Sequence, residues 1–303
     1  MNDSIHVQTT NLAQKTVSLG MLGSVTLVDA MPQQHGDLAV VEAARRSVDR
    51  STSTPAEDRA LIRRLMRCRH TSPFEMVEFK FYIECPIFVA RQWLRHRTAN
   101  VNELSGRYAE LNTGYYIPPS QDIRLQSKKD KQGSFGTAPL HVGITFTSEL
   151  SDNVAEADTA YRNALAADIT REQARIGLPL CTMTNFYWKI DLHNLFHFLK
   201  LRMDSHAQDE IRSFARTMYN LIKPHVPICC EAFEDYILNS INLSVAEQAL
   251  VGQIVKGELA AGKDVWTKLG KSERDDFWFK LEQLGISAET RDKCLQSWST
   301  AKS

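Results

Sequence analysis

The sequence predicts an α/β fold of the α+β type, on three observations. VEFKFYIE (77–84) alternates Val77, Phe79, Phe81 and Ile83 with Glu78, Lys80, Tyr82 and Glu84, the period of a strand with one wetter face. TPAEDRALIRRLMRCRH (54–70) sets Thr54, Pro55 and Glu57 as a helix start with a reciprocal capping box. Beyond residue 240 the chain reads as three short helices, with Ser244/Glu247 and Ser272/Asp275 as start signals.

Residues 1–22 are polar and unpatterned, and VTLVDAM (25–31) is the first strand-like run. DLAVVEAARRSV suits a helix capped by Asp37, and the Thr54 helix should stop near His70. After the 77–84 strand, Pro86 opens a short helix, IFVARQWLRH, with Arg91 and Arg95 four apart on one face. Asn100 and Asn102 favour a loop, and GRYAEL into GYYIPP suggests extended chain ended by Pro118 and Pro119. QSKKDKQGSFG (126–136) reads as a polar surface loop. A long helix follows from His141 to Asp168, and Thr170 with Gln173 forms a capping box for a short helix carrying Arg175. TMTNFYWKI is strand-like. Asp191 caps LHNLFHFLKLR, while Ser205 and Gln208 cap SHAQDEIRSFARTMYNLIK, which Pro224 ends. No internal repeat or low-complexity tract is present.

With 303 residues and 43% hydrophobic composition the chain can bury a sizeable core. Lysine plus arginine (36) equals aspartate plus glutamate (36), so no global basic field favours nucleic-acid polymers or membranes. Any anion site must be local. Six cysteines without C-x-x-C or zinc-ribbon spacing, and an N-terminus without signal-peptide order, point to a reducing cytoplasm. No apolar run approaches the roughly 18 to 20 residues of a membrane helix.

Positive charge is concentrated in RQWLRHRTANVNELSGRY (91–108). Arg95, Arg97 and Arg107 lie where helix gives way to loop, beside Ser105, and permanently charged planar forks suit phosphate groups. Arg91 alone fits a solvated helix face. His193 and His197 are four apart on one helix, the geometry of a metal pair, with Asp204 or His206 as a third ligand only by conjecture. Arg202 at a helix C-terminus also suits the helix dipole, and Arg175 can simply pair with Glu172. Cys181, Cys229 and Cys230 sit in apolar surroundings and read as buried structural thiols. Ser105 has no nucleophile elbow, and Ser47 is by spacing a helix residue.

Arg95-His96-Arg97, seven residues, then Ser105, resembles the R-H-R-x7-S signature of the flavin-dependent thymidylate synthases. HTSPFE (70–75), FVARQW (88–93), REQARIGLPL (171–180) and FLKLRMDSHAQDEIR (198–212) resemble further family blocks, in the family's order. The resemblance spans roughly residues 25–238, which leaves an N-terminal extension (1–24) and a helical C-terminal extension (239–303). It implies a mixed, largely antiparallel sheet flanked by helices, and a homotetramer with active sites shared between subunits. It also implies methylation of dUMP to dTMP with FAD, NADPH and 5,10-methylenetetrahydrofolate, without a cysteine nucleophile.

By the same resemblance, the dUMP site comprises Gln92, Trp93, Leu94, Arg95, Glu103, Leu104, Ser105, Gly106, Arg107, Arg175 and Arg202. Arg202 is the activating residue, its fork stabilising negative charge that develops on the uracil ring. The FAD group is Ser47, His70, Ser72, Arg95, His96, Arg97, Asn102, Glu103, Asp191, Leu192, His193 and His197, with no metal. Family members commonly have asparagine at the positions of Asp191 and His197 and arginine at that of His193. Two other readings stand beside this one: a metal-dependent nucleotide hydrolase using His193 and His197, and an RNA-binding module in which Arg95, Arg97, Arg107, Tyr108, Tyr115 and Tyr116 hold phosphates and bases.

Overall fold

Alternating apolar and polar residues build the central sheet. In the computed structural model, which describes residues 14–46, 54–128 and 133–299, β1 (Lys15–Ser18) and β2 (Ser24–Met31) open the chain. Two helices follow, α1 (Gly36–Arg46) and α2 (Pro55–Arg67), and then β3 (Glu78–Pro86). Next come α3 (Ile87–Trp93), β4 (Asn100–Glu103), β5 (Arg124–Gln126), β6 (Ser134–Thr137), α4 (Leu140–Ala166) and α5 (Arg171–Ala174). β7 (Met183–Asp191) leads into α6 (Leu192–Arg202), α7 (Asp209–Ile222) and α8 (Pro227–Phe233), completing a first unit, residues 1–238.

The sheet runs in the order β1-β2-β3-β7-β4, each neighbouring pair antiparallel, and β5 with β6 makes a separate ribbon. β3 turns Phe79, Phe81, Ile83 and Cys85 into the core, and β7 turns in Phe186, Trp188 and Ile190. Trp93 of α3 meets Phe186 and Trp188 edge-on, at ring separations of 5.5 and 5.4 Å, and lies 5.0 Å from Phe198 of α6. Aromatic packing of this kind fixes α3 and α6 against the same face of β7. Gly23, at φ +125°, lets the β1–β2 turn approach β3, since a Cβ there would lie 1.9 Å from the Glu84 carbonyl oxygen.

The capping box at Thr54 forms as expected: Thr54 Oγ1 accepts from Glu57 N, and Thr54 N donates to Glu57 at 2.8 Å. Asp191 caps α6 by accepting from Asn194 N at 2.9 Å. Asp37 behaves differently from the sequence expectation. It lies in the first turn of α1 and accepts from Ile228 N and Cys229 N, both at 2.9 Å, capping α8 instead. The Thr170 side chain accepts no backbone N–H, so the expected box at α5 is absent. α7 begins at Asp209, because Asp204 accepts from His206 N at 2.8 Å and turns the chain at Ser205. The 126–136 stretch, expected as a polar loop, is flanked by the paired strands β5 and β6, whose exposed side chains carry no apolar alternation. Two further strands differ from expectation, β1 within the polar N-terminal stretch and β4 where the sequence predicts a loop. Both lie at sheet edges with mostly exposed side chains, so pairing there leaves no apolar period to read. The run from Arg107 to Pro119 contributes one isolated bridge, Tyr115 with Thr182, and no strand.

The second unit, 239–303, contains α9 (Val245–Lys256), α10 (Lys263–Lys268), α11 (Lys271–Gln283) and α12 (Ala288–Ser299). Its own core is Leu250, Trp266, Phe277, Trp278, Leu281, Cys294 and Trp298. Ser244 and Glu247 form the expected capping box. α11 starts one residue before Ser272, with Glu273 accepting from Gly270 N at 2.7 Å, rather than from the Ser272/Asp275 pair. The helix α10, unread in the sequence, is held by the Trp266 ring against Trp298, 5.0 Å away. No helix among the described residues is long and apolar enough to cross a membrane.

Candidate active site

The arginine-rich stretch leaves the sheet through α3 and returns as β4. α3 ends at Trp93, whose ring is fully buried, so Arg95 falls in the turn and does not share a helix face with Arg91. Arg91, Arg95 and Arg97 are exposed and form no salt bridge among the described residues. Free guanidinium groups of this kind are suited to multiply charged oxyanions.

Arg202, in the last turn of α6, is brought to the same stretch. Its Nε donates to His96 Nε2 at 3.0 Å, and its Nη2 donates to the Gln92 carbonyl oxygen at 3.1 Å. A guanidinium has no acceptor, so His96 Nε2 carries a lone pair and the ring proton resides on Nδ1. Burial, the Arg202 charge and His197 together push the His96 pKa down to about 4, which leaves the ring neutral at pH 7. The ring is edge-on to Phe198 and to His197, at 4.9 and 6.0 Å. The Gln92 side chain in turn donates through Nε2 to Gln208 Oε1.

A second cluster forms where β4 ends. Glu103 Oε1 accepts from Thr184 Oγ1 of β7 at 2.8 Å, and Leu104 N donates to the Asn185 carbonyl at 2.9 Å. The chain then tightens around Ser105, whose Oγ accepts from Arg107 N at 3.3 Å and whose carbonyl accepts from Tyr108 N and Ala109 N. Gly106 is buried, and a Cβ there would lie 3.0 Å from both Arg175 Cδ and Leu111 Cδ1. The Arg175 stem therefore rests on the Gly106 backbone. Arg107 Nε donates to Glu172 at 3.0 Å, and Leu111 N donates to the buried Tyr161 hydroxyl of α4 at 2.9 Å. These contacts dock segment 171–177 on the loop and gather Ser105, Arg107 and Arg175, a hydroxyl and two forks, around one place.

The structure thus unites Gln92, His96, His197 and Arg202 in one group, and Glu103, Leu104, Ser105, Gly106, Arg107 and Arg175 in a neighbouring one on the same segment. Trp93 and Leu192 are wholly buried side chains, so only their backbone is left to meet a ligand. Leu94 is partly buried and Asn102 is exposed on β4. His70 and Ser72 are exposed just beyond α2, His193 is partly buried, and none of these three hydrogen-bonds to either group among the described residues. Both Asp191 carboxylate oxygens are engaged by Asn194. Ser47 lies outside the described residues. Sequence reasoning missed Thr184 and Gln208 as partners, because a strand threonine and a helix-start glutamine carry no local sign of what they reach.

No cluster of three or more histidine, cysteine or acidic side chains that could hold a metal ion occurs among the described residues, so His193 and His197 lack a third ligand. Cys85, Cys181, Cys229, Cys230 and Cys294 are buried free thiols, with burial pushing Cys230 up to about 12 and raising the others. They stay protonated near neutrality.

Residues 26–228 match the family described as thymidylate synthase complementing protein. A flavin-dependent thymidylate synthase of Dictyostelium discoideum is 49% identical over 230 residues, covering 74% of this chain and 76% of that protein. One from Thermus thermophilus is 50% identical over 225 residues, covering 74% and 80%. Among solved structures, the UMP/dUMP methylase PolB from Streptomyces cacaoi, bound with 5-Br dUMP, aligns with a TM-score of 0.65 at 32% identity, covering 74% of this chain and 96% of that one. The same methylase bound with 5-Br UMP aligns at 0.63. These likenesses lend no support to the readings as a hydrolase or an RNA-binding module.

Proposed function

We infer the workings of the site from one premise: the chain belongs to the flavin-dependent thymidylate synthases, and it makes dTMP by reductive methylation of dUMP. The observation that carries the residue assignments is the docking of Arg202 and of Arg175 onto the same segment, Gln92 to Arg107, from two other parts of the chain.

In this reading the dUMP phosphate is held by Ser105, Arg107 and Arg175, with the Gly106 amide and the backbone of Leu104 beside it. Arg107 exchanges its pairing with Glu172 for a doubly charged phosphate, a stronger charge-assisted partner. Glu103, fixed by the Thr184 hydroxyl, faces the sugar. Gln92, with the backbone of Trp93 and Leu94, borders the base. Arg202 presents its remaining N–H groups to the uracil ring, where a preoriented cation stabilises negative charge as it develops. The ring is activated by charge stabilisation rather than by addition of a thiolate, in keeping with the protonated state of the buried thiols.

The exposed, unpaired forks of Arg95 and Arg97 fit the pyrophosphate of FAD, with His96, Asn102, Glu103, His70, Ser72 and His197 toward its remaining parts. FAD reduced by NADPH supplies the hydride, and 5,10-methylenetetrahydrofolate supplies the carbon. Asp191, occupied by Asn194, serves this group through the orientation of α6, and His193 offers its ring from the first turn of that helix.

A homotetramer with shared active sites accords with the exposure of Leu140, Val142, Ile144 and Phe146, 42–58% on both sides of the first turns of α4, apolar surface that subunit contact would cover. A cytoplasmic location accords with six free cysteines. The test is direct: the purified protein should bind FAD, oxidise NADPH only when dUMP and methylenetetrahydrofolate are present, and yield dTMP on chromatography. Protein that cannot be loaded with FAD, or that consumes NADPH without forming dTMP, would overturn the assignment.

A further inference from the structure

Arg202 is the one arginine of the site whose guanidinium is held by the protein at two of its nitrogens. Nε donates to His96 Nε2 at 3.0 Å and Nη2 donates to the Gln92 carbonyl at 3.1 Å. Two in-plane hydrogen bonds from different atoms fix both the position and the rotation of the planar fork, leaving three of its five N–H groups for a ligand. The backbone carbonyl can always accept. The imidazole can accept only as the neutral ring protonated at Nδ1, because a protonated ring would oppose a donor to a donor and a cation to a cation.

The surroundings enforce that state. His96 is partly buried and flanked by the ring edges of Phe198 and His197. Its backbone N donates to the Trp93 carbonyl at 3.0 Å, so the ring is carried on a turn anchored by the fully buried Trp93. We propose that His96 is a positioning residue for dUMP activation, a neutral Nε2 acceptor that holds the Arg202 fork in its working plane. The proposal rests on the reading of Arg202 as the group facing uracil, and it gives His96 a role in the nucleotide half of the site in addition to any contact with flavin.

The test uses the full-length, FAD-loaded protein with His96→Gln, His96→Leu, Arg202→Lys and the double variant His96→Leu/Arg202→Lys. Measured for each are the flavin-to-protein ratio, kcat and KM for dUMP, and dUMP affinity by equilibrium dialysis. A glutamine Oε1 can take the Arg202 N–H and cannot be protonated, so His96→Gln should keep kcat per bound flavin within about 3-fold of wild type, whereas His96→Leu should lose about 10- to 100-fold in kcat per bound flavin. Because His96 acts through Arg202, the double variant should be no slower than Arg202→Lys alone. The proposal fails if the two losses multiply, if His96→Gln is as slow as His96→Leu, or if the defect follows lost flavin. Should wild-type protein itself form no dTMP, the functional assignment falls first, which separates the two failures.

Discussion

Arg202 Nε stands 3.0 Å from His96 Nε2, a permanent cation hydrogen-bonded to a ring that burial keeps uncharged. The arrangement orients positive charge without neutralising it, unlike Arg107, which pairs with Glu172. Arg202→Lys keeps the charge and loses the fork. Turnover should fall by roughly 100-fold or more, the effect of removing an oriented transition-state donor, with flavin absorbance per protein unchanged. Steady-state dTMP formation alongside the visible spectrum checks both halves of the statement.

His96 should also leave a mark on stability. Its folded pKa of about 4 lies below the ordinary 6.5. Between those values the unfolded chain binds more protons, so stability rises with pH through this window, is complete above pH 6.5 and is lost as pH falls toward 4. His225, also lowered by burial, has the same sign. Urea denaturation of wild type and His96→Gln across pH 4.5 to 7.5 should therefore diverge only at the acid end, wild type losing more.

Asp37 caps α8 from α1 with both carboxylate oxygens. Asp37→Ala removes both acceptors and should cost about 1–2 kcal/mol in urea-induced unfolding. Asp37→Asn retains one oxygen and should cost less. Equal losses in the two variants would show that the N–H partners do not depend on this cap.

At Gly106 the missing Cβ makes room for Arg175. Gly106→Ala should push the Arg175 stem away by a few tenths of an ångström and weaken dUMP binding by about 10-fold, roughly 1.4 kcal/mol. Flavin loading should be unaltered. Equilibrium dialysis of dUMP against the variant reads this directly.

Much of the fold is legible in the sequence where a signal is local. β3 declares itself by alternation, α2 and α9 by reciprocal capping boxes, and α6 by Asp191. The edge strands β1 and β4 do not, since they are held by backbone pairing and their side chains obey no burial pattern. The site divides in the same way. Its residue types are visible as a motif, and Arg175 and Arg202 lie in neighbouring family blocks. Gln92 reaching Gln208, Glu103 reaching Thr184, and His96 serving Arg202 depend on chain crossings of 81 to 116 residues, which no local period encodes.

β7 joins these crossings. It follows the Arg175 segment, pairs Glu103 of β4 with its Phe186, and runs straight into α6, which carries Arg202. A slip of one residue along its neighbours would turn Phe186 and Trp188 outward and carry Thr184 and Arg202 out of reach of Glu103 and His96 in the same movement. Foldability and activity are therefore under one selection along this strand. In a mutational screen, lesions at Trp188 should sort with those at Arg202, and a phenotype map of this protein would draw its active site partly in residues that no ligand touches.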